Sequence, residues 1–452
     1  MWGEQVSDQS TQWAVPAPGT RRFIGIDWNI GAVKNASPRY WAFISLIMTT
    51  ILLGLMTWGT FLFEGGGLMA MRDAYPWGLW FTNYMYYVGL SAGGLAVYAS
   101  VHLFGAEQFR PLSRLAVLQA GVLVMMALLG IITDMERFWR AGWMLLTPNP
   151  TSPFVYTGSA ATIYMIVCFI DLWVLITGKG GERLAMRMTL IALPFAVYLH
   201  TTTAFVLALN KSRELWNSAV MVPIFLTSAT ASGIALLMIS AYVMQRLKVM
   251  RFRPSMFRSL STFLATVIII DLFLLAVEMA VVFWPTSQRP GHSERMAVFF
   301  ESPYGLILVP VLILGISAFA LLAGRKTRHL RHFQLTAAAM YVFAIFLKRY
   351  TLMAMGFAVD PLGQFTAPYF PSLVEILIAL MILAIGLLIM AVAAKVLPLQ
   401  VPDEEIEEHA HHYAAQRAEW ASLDAEIDAE AGYARAAQAS ASTASGPATG
   451  AG

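Results

Sequence analysis

The sequence predicts an all-α integral membrane protein of about ten spanning helices. Three observations carry this reading. Mean hydropathy is +0.62 over 452 residues, with 58% hydrophobic and only 13% charged residues, a combination few soluble domains reach. Apolar runs of about 20 residues recur, long enough to cross a bilayer as helices. Lysine and arginine concentrate in every second connection between those runs. The period-two alternation of a transmembrane barrel is missing, and helices satisfy their own backbone hydrogen bonds as lipid demands.

Residues 1–39 are polar and hold no short apolar stretch of the signal-peptide kind, so they read as a cytoplasmic segment. The first span covers roughly 40–62. The second, 79–104, follows the outer face through "WGLWFTNYMYYVGLSAGG" (77–94), whose small residues suit close helix contact. The third, 112–133, runs out at Asp134. The fourth, 157–178, holds Asp171 and Cys168. Cys168 is the one cysteine, so no internal disulfide and no cysteine-ligated cluster can form. The fifth, 187–209, carries His200, and the sixth covers 217–244. The seventh, 257–284, carries Asp271 and Glu278, seven apart and therefore on one helix face. The eighth is 304–324. The ninth, 333–356, holds Lys348 and Arg349, and the tenth, 372–396, holds Glu375. Beyond 399, "PDEEIEEHAHHYAAQRAEW" has helix-forming composition, with His409, His411 and His412 on a solvated face, and "ASASTASGPATGAG" reads as disordered.

The basic connections follow spans two, four, six and eight, and the N-terminal flank is basic too (Arg21, Arg22, Lys34, Arg39). Both termini are therefore expected in the cytoplasm, with the chain in a bacterial inner membrane. The opposite connections are longer and aromatic. Arg137, Trp139, Arg140 and Trp143, and then Arg213 and Trp216, combine residue types favoured at interfaces, which predicts docking of a partner protein there. No nucleic-acid partner is expected.

His200 is the imidazole buried deepest in the apolar sequence. It lies roughly 20 Å from the inner end of its span and 15 Å from the outer. The only other spanning histidine, His102, differs in depth by about 20 Å, so the two cannot share one haem. Two readings remain open. His200 hydrogen-bonds a small polar ligand such as a quinone carbonyl, or it is tied to a neighbouring hydroxyl or carbonyl. Asn83 and Tyr86 lie about 6 Å and 10 Å below the outer face, three residues apart on one side of the second span.

These stretches resemble the NrfD/PsrC family, the membrane subunits of polysulfide-reductase-like complexes, in its long ten-helix form. The likeness rests on "WFTNYMYYVGLSAGG", "RFWRAGWMLLTPNPTSPF", "LHTTTAFVLALNKSRELWN" and "PIFLTSATASGIALL", in that order across spans two to six. It implies two four-helix bundles within a 40–398 membrane domain, at about 79–210 and 217–356, with spans one and ten flanking and 399–452 as a tail. It also implies a menaquinone or ubiquinone site near the outer face, at Asn83, Tyr86 and near His200. Some members have histidine where this chain has Tyr86, and His200 aligns with a family tyrosine only across a short gap. The family carries no haem or iron–sulfur cluster in this subunit. It implies a periplasmic ferredoxin-like iron–sulfur partner, alone or with a molybdopterin or cytochrome c subunit.

The expected function is thus exchange of electrons between quinone and that partner, with or without proton translocation. Asp134 exchanges protons with the medium or caps its loop through Arg137. Asp171, Asp271 and Glu278 relay protons, or the second-bundle acids pair with Lys348 and Arg349 to keep that bundle neutral. Two other functions fit the residues: a secondary transporter using the intramembrane acids, and a membrane anchor without its own quinone site.

Overall fold

The computed structural model describes residues 20–213, 215–284, 298–359 and 364–402. The acidic segment with its three histidines, outer-loop residues Arg289 and Arg295, and residues 1–19 lie outside the described residues. The chain to Gln400 forms one compact unit.

Ten helices long and apolar enough to cross a membrane are found among the described residues. They are α1 (Pro38–Glu64), α2 (Leu79–Phe104), α3 (Ser113–Asp134), α4 (Pro153–Thr177), α5 (Gly181–Ala208), α6 (Met221–Arg246), α7 (Pro254–Phe283), α8 (Pro303–Ala323), α9 (Arg331–Gly356) and α10 (Leu373–Val396). Local chemistry sets their ends. Pro38, Pro153, Pro254 and Pro303 stand at first helical positions, where a missing N–H costs nothing. The Ser37 hydroxyl caps α1 by accepting from the Tyr40 amide at 3.3 Å.

Helices α2 to α5 close one four-helix bundle and α6 to α9 a second, while α1 and α10 pair with each other and lie against α3. The bundles meet mainly along α2 and α6. Gly93 and Gly233 make this possible: a Cβ on Gly93 would lie 2.0 Å from the Ile234 amide nitrogen, and one on Gly233 2.3 Å from that of Gly93. Backbones can approach so closely only where neither carries a side chain. Buried positions fill 72% of the most apolar stretches of α2 and α3, against 22% for α1, and α2, packed on helices of both bundles, is the central one.

One feature escapes hydropathy. Residues 20–29 form an antiparallel hairpin, β1 (Thr20–Phe23) with β2 (Ile26–Asn29), which contacts α4 and α10 through β2. A short helical turn, Ile30–Lys34, leads on towards α1.

Candidate functional site

The polar groups of the first bundle are built from α2, α4 and α5. His200 is buried on α5. Its Nδ1 lies 2.6 Å from the Ala196 carbonyl oxygen, one turn back, and its Nε2 2.9 Å from the Val88 carbonyl oxygen on α2. The ring therefore braces α5 against α2. A neutral imidazole has one N–H to donate, so a ligand oxygen reaches Nε2 only if the ring leaves Val88. Beside it runs a chain of hydroxyls that the sequence reading missed. Tyr84 on α2 lies 2.9 Å from the Thr157 hydroxyl on α4, which lies 2.9 Å from that of Thr203 on α5.

Tyr86 reaches the second bundle. The Tyr86 hydroxyl donates to the Val342 carbonyl at 3.2 Å, and its ring stands edge-on to Phe346, so this side chain faces α9 in the second bundle. At about 100° per residue, Tyr86 points roughly 160° away from the position of Val88, where His200 arrives. Asn83 is 4% exposed, and its amide makes no hydrogen bond with any described residue. Tyr87, one turn further on and about 40° round from Asn83, is 6% exposed and its hydroxyl is likewise without a partner among the described residues.

The acidic residues occupy four separate surroundings. Asp171 on α4 is buried and accepts from the Tyr98 hydroxyl at 2.8 Å; its other oxygen has no partner among the described residues. Asp134 is half-buried at the end of α3, and no ion pair with Arg137 forms among the described residues. Asp271 on α7 is held by Lys348 Nζ at 2.8 and 3.0 Å and accepts from the Tyr341 hydroxyl at 2.8 Å. Glu278 accepts from the Ser218 hydroxyl at 2.7 Å in the connection before α6. The shared face of Asp271 and Glu278 therefore leads to different partners. Arg349, fully buried beside Lys348, donates to Ser228 at 2.7 Å and lies 3.6 Å from the Phe225 ring centre.

At the outer end, that of the long aromatic connections, the predicted docking residues divide. Trp139 and Trp143 are 64% and 59% exposed, and Arg137 and Arg140 are exposed beside them. Trp216 and Arg213 correct the expectation. Trp216 is fully buried, donates to the Leu352 carbonyl at 2.8 Å and stacks on Trp77 at 5.6 Å. The absence of a side chain at Gly356 admits it, since a Cβ there would lie 1.9 Å from the indole. Arg213 donates to the Val359 carbonyl at 2.5 Å and covers the Phe357 ring. These two side chains tie the α5–α6 connection to α9 because an indole and a guanidinium each found inward carbonyls.

A second outer cluster went unread in the sequence. Tyr369 donates its hydroxyl to Glu375 and accepts from the Leu79 amide at 2.7 Å, while Glu375 also takes the Ala70 amide at 2.9 Å. Burial, and then the Glu375 charge, hold the Tyr369 phenol well above its ordinary range. This knot fixes the α1–α2 connection over the start of α2, and so sets the depth of Asn83.

The family pattern described as polysulphide reductase, NrfD, matches residues 67–360. The chain is 24% identical to the Hdr-like menaquinol oxidoreductase integral membrane subunit of Archaeoglobus fulgidus, over 83% of this chain and 97% of that one. It is 25% identical to a selenate reductase subunit of Mesobacillus selenatarsenatis, over 61% and 75%. It is 24% identical to a probable Ni/Fe-hydrogenase 2 b-type cytochrome subunit of Escherichia coli, over 76% and 89%.

Proposed function

The chain belongs to the NrfD polysulphide reductase family, and from that premise we propose that it is the quinone-binding membrane subunit of a respiratory oxidoreductase complex. Menaquinone is the favoured quinone, since a relative matched along nearly its whole length is named a menaquinol oxidoreductase subunit. The observation that carries the reading is the pair Asn83 and Tyr87. The two side chains are 4% and 6% exposed, one turn apart on α2; neither has a hydrogen bond to a described residue, and their polar atoms are not sealed from the surface. Polar atoms left open on an otherwise buried helix face suit a neutral ligand with acceptor oxygens between apolar walls.

A bound quinol supplies two electrons and two protons. The Asn83 amide and Tyr87 hydroxyl orient its oxygens, and the Tyr86 ring closes the side towards α9. His200 holds α5 on α2 and joins the site only by releasing Val88. Asp134, half-buried and without an ion pair to Arg137, passes protons to the medium. Electrons leave to, or arrive from, an iron–sulfur subunit seated on Arg137, Trp139, Arg140 and Trp143.

Binding of a short-chain menaquinol analogue to the purified complex tests this. One hydrogen bond of about 1–1.4 kcal/mol corresponds to roughly 5- to 10-fold in Kd. Asn83→Leu and Tyr87→Phe should each weaken binding by that factor, with unchanged melting. Wild-type affinity in both variants would overturn the site, and a lower melting temperature with unchanged affinity would make the pair structural.

A further inference from the structure

The hairpin at residues 20–29 has no part in the chemistry above, and its tip is unusual. Ile24 and Gly25 both have positive φ, at 53° and 79°. A two-residue turn of this hand normally carries Asn-Gly, and a β-branched residue in the left-handed region is a genuine outlier. Ile24 is also 61% exposed, and Phe23 beside it 64%. An unfavourable backbone that presents apolar side chains outward is retained where something apolar covers them.

The tip is clamped in place. The Trp173 indole on α4 donates to the Ile24 carbonyl at 2.8 Å. Between the tip and α4 lies an open cleft of about 350 Å³, lined by Ile24, Ile166, Phe169, Ile170 and Trp173. Its α4 residues recur at helical spacing on the membrane-facing side, where Ile166 and Ile170 are 49% and 48% exposed.

Cations gather at the mouth. Lys179 Nζ lies 5.0 Å from the Trp173 ring centre, and a Cβ on Gly25 would be 3.4 Å from it. Arg21 and Arg22 are exposed two to three residues from Ile24, with Asp27 across the hairpin from Arg22 as the nearby opposing charge on the strands. Arg183 and Arg187 follow exposed at the start of α5. An apolar slot in the membrane-facing surface, mouthed by lysine and arginine at the basic-loop end, matches an acyl chain joined to a phosphate.

We propose that this cleft binds an anionic phospholipid of the leaflet at the basic-loop end. One acyl chain lies between Ile24 and α4, and the phosphate lies against Lys179 and the Arg21–Arg22 pair. The hairpin then acts as a lipid clamp that fixes the N-terminal segment to the first bundle.

Native mass spectrometry of the full-length protein, titrated with phosphatidylglycerol or with phosphatidylcholine of the same chains, tests this. Two variants are needed: Ile24→Asn, which suits the turn and removes the apolar tip, and Lys179→Gln combined with Arg21→Gln and Arg22→Gln. The expected result is one tight phosphatidylglycerol site, at least tenfold preferred over phosphatidylcholine. Ile24→Asn should weaken it at least tenfold while melting in phosphatidylcholine nanodiscs holds or rises, and the charge variant should abolish the preference. Equal binding of both lipids, or unchanged binding in Ile24→Asn, would overturn the proposal. So would displacement of the lipid by glycerol phosphate alone, which marks a simple phosphate site. Crosslinking of a cysteine at position 24 to another membrane subunit of the complex, in place of lipid, would overturn it as well.

Discussion

Replacing Lys348 by methionine removes the one cation bonded directly to Asp271 among the described residues and nearly keeps the volume of the side chain. At 2.8 Å and an effective dielectric of about 20 the pair attracts by about 6 kcal/mol. Desolvation of both groups takes back most of that, so the pair itself contributes little net stability. Removing one partner is different, because the other charge stays buried. Asp271 would keep only the Tyr341 hydroxyl at 2.8 Å and the Thr227 hydroxyl at 3.4 Å, and the expected loss is about 3–5 kcal/mol. The double variant Asp271→Asn with Lys348→Met leaves no buried charge at this pair and should recover most of that loss. The assay is thermal inactivation of the purified complex, read together with quinol turnover, for both single variants and the double one. A double variant as unstable as Lys348→Met would refute the reasoning. If stability returned and turnover did not, the pair would belong to the chemistry and the structural account of Asp271 would fail.

Trp216→Ala should cost about 3–5 kcal/mol, the usual range for emptying a buried aromatic site, and should lower melting, whereas Trp139→Ala with Trp143→Ala should leave melting unchanged and weaken retention of the partner subunit on size exclusion. Gly356→Leu places a side chain where the Trp216 indole lies, and limited proteolysis of the α5–α6 connection should accelerate in it. Gly233→Val forces apart the closest contact of α2 and α6; overpacking of about 1–3 kcal/mol or more should appear as reduced yield of the assembled complex. Tyr369→Phe removes the hydroxyl that joins Glu375 to the Leu79 amide, and hydrogen exchange at residues 64–78 should rise while that of α4 stays constant.

What the sequence alone determined was each helix as a separate object. Whether a segment spans is set by its own length, its apolar content and its internal hydrogen bonds, so ten runs became ten helices among the described residues. The small residues near Gly93 announced a close contact because lack of a side chain is readable in one dimension. Rotation of a helix about its axis is not readable that way, since it depends on what packs around it. Only the tertiary structure decided that Tyr86 turns to α9, and that both His200 ring nitrogens face the Ala196 and Val88 carbonyls. It likewise turned Trp216 and Arg213 inward onto carbonyls of α9 and the segment after it, while Trp139 and Trp143 stayed outside. Composition gives such residues the same character in either place; the partners that satisfy their polar atoms come from helices more than a hundred residues away.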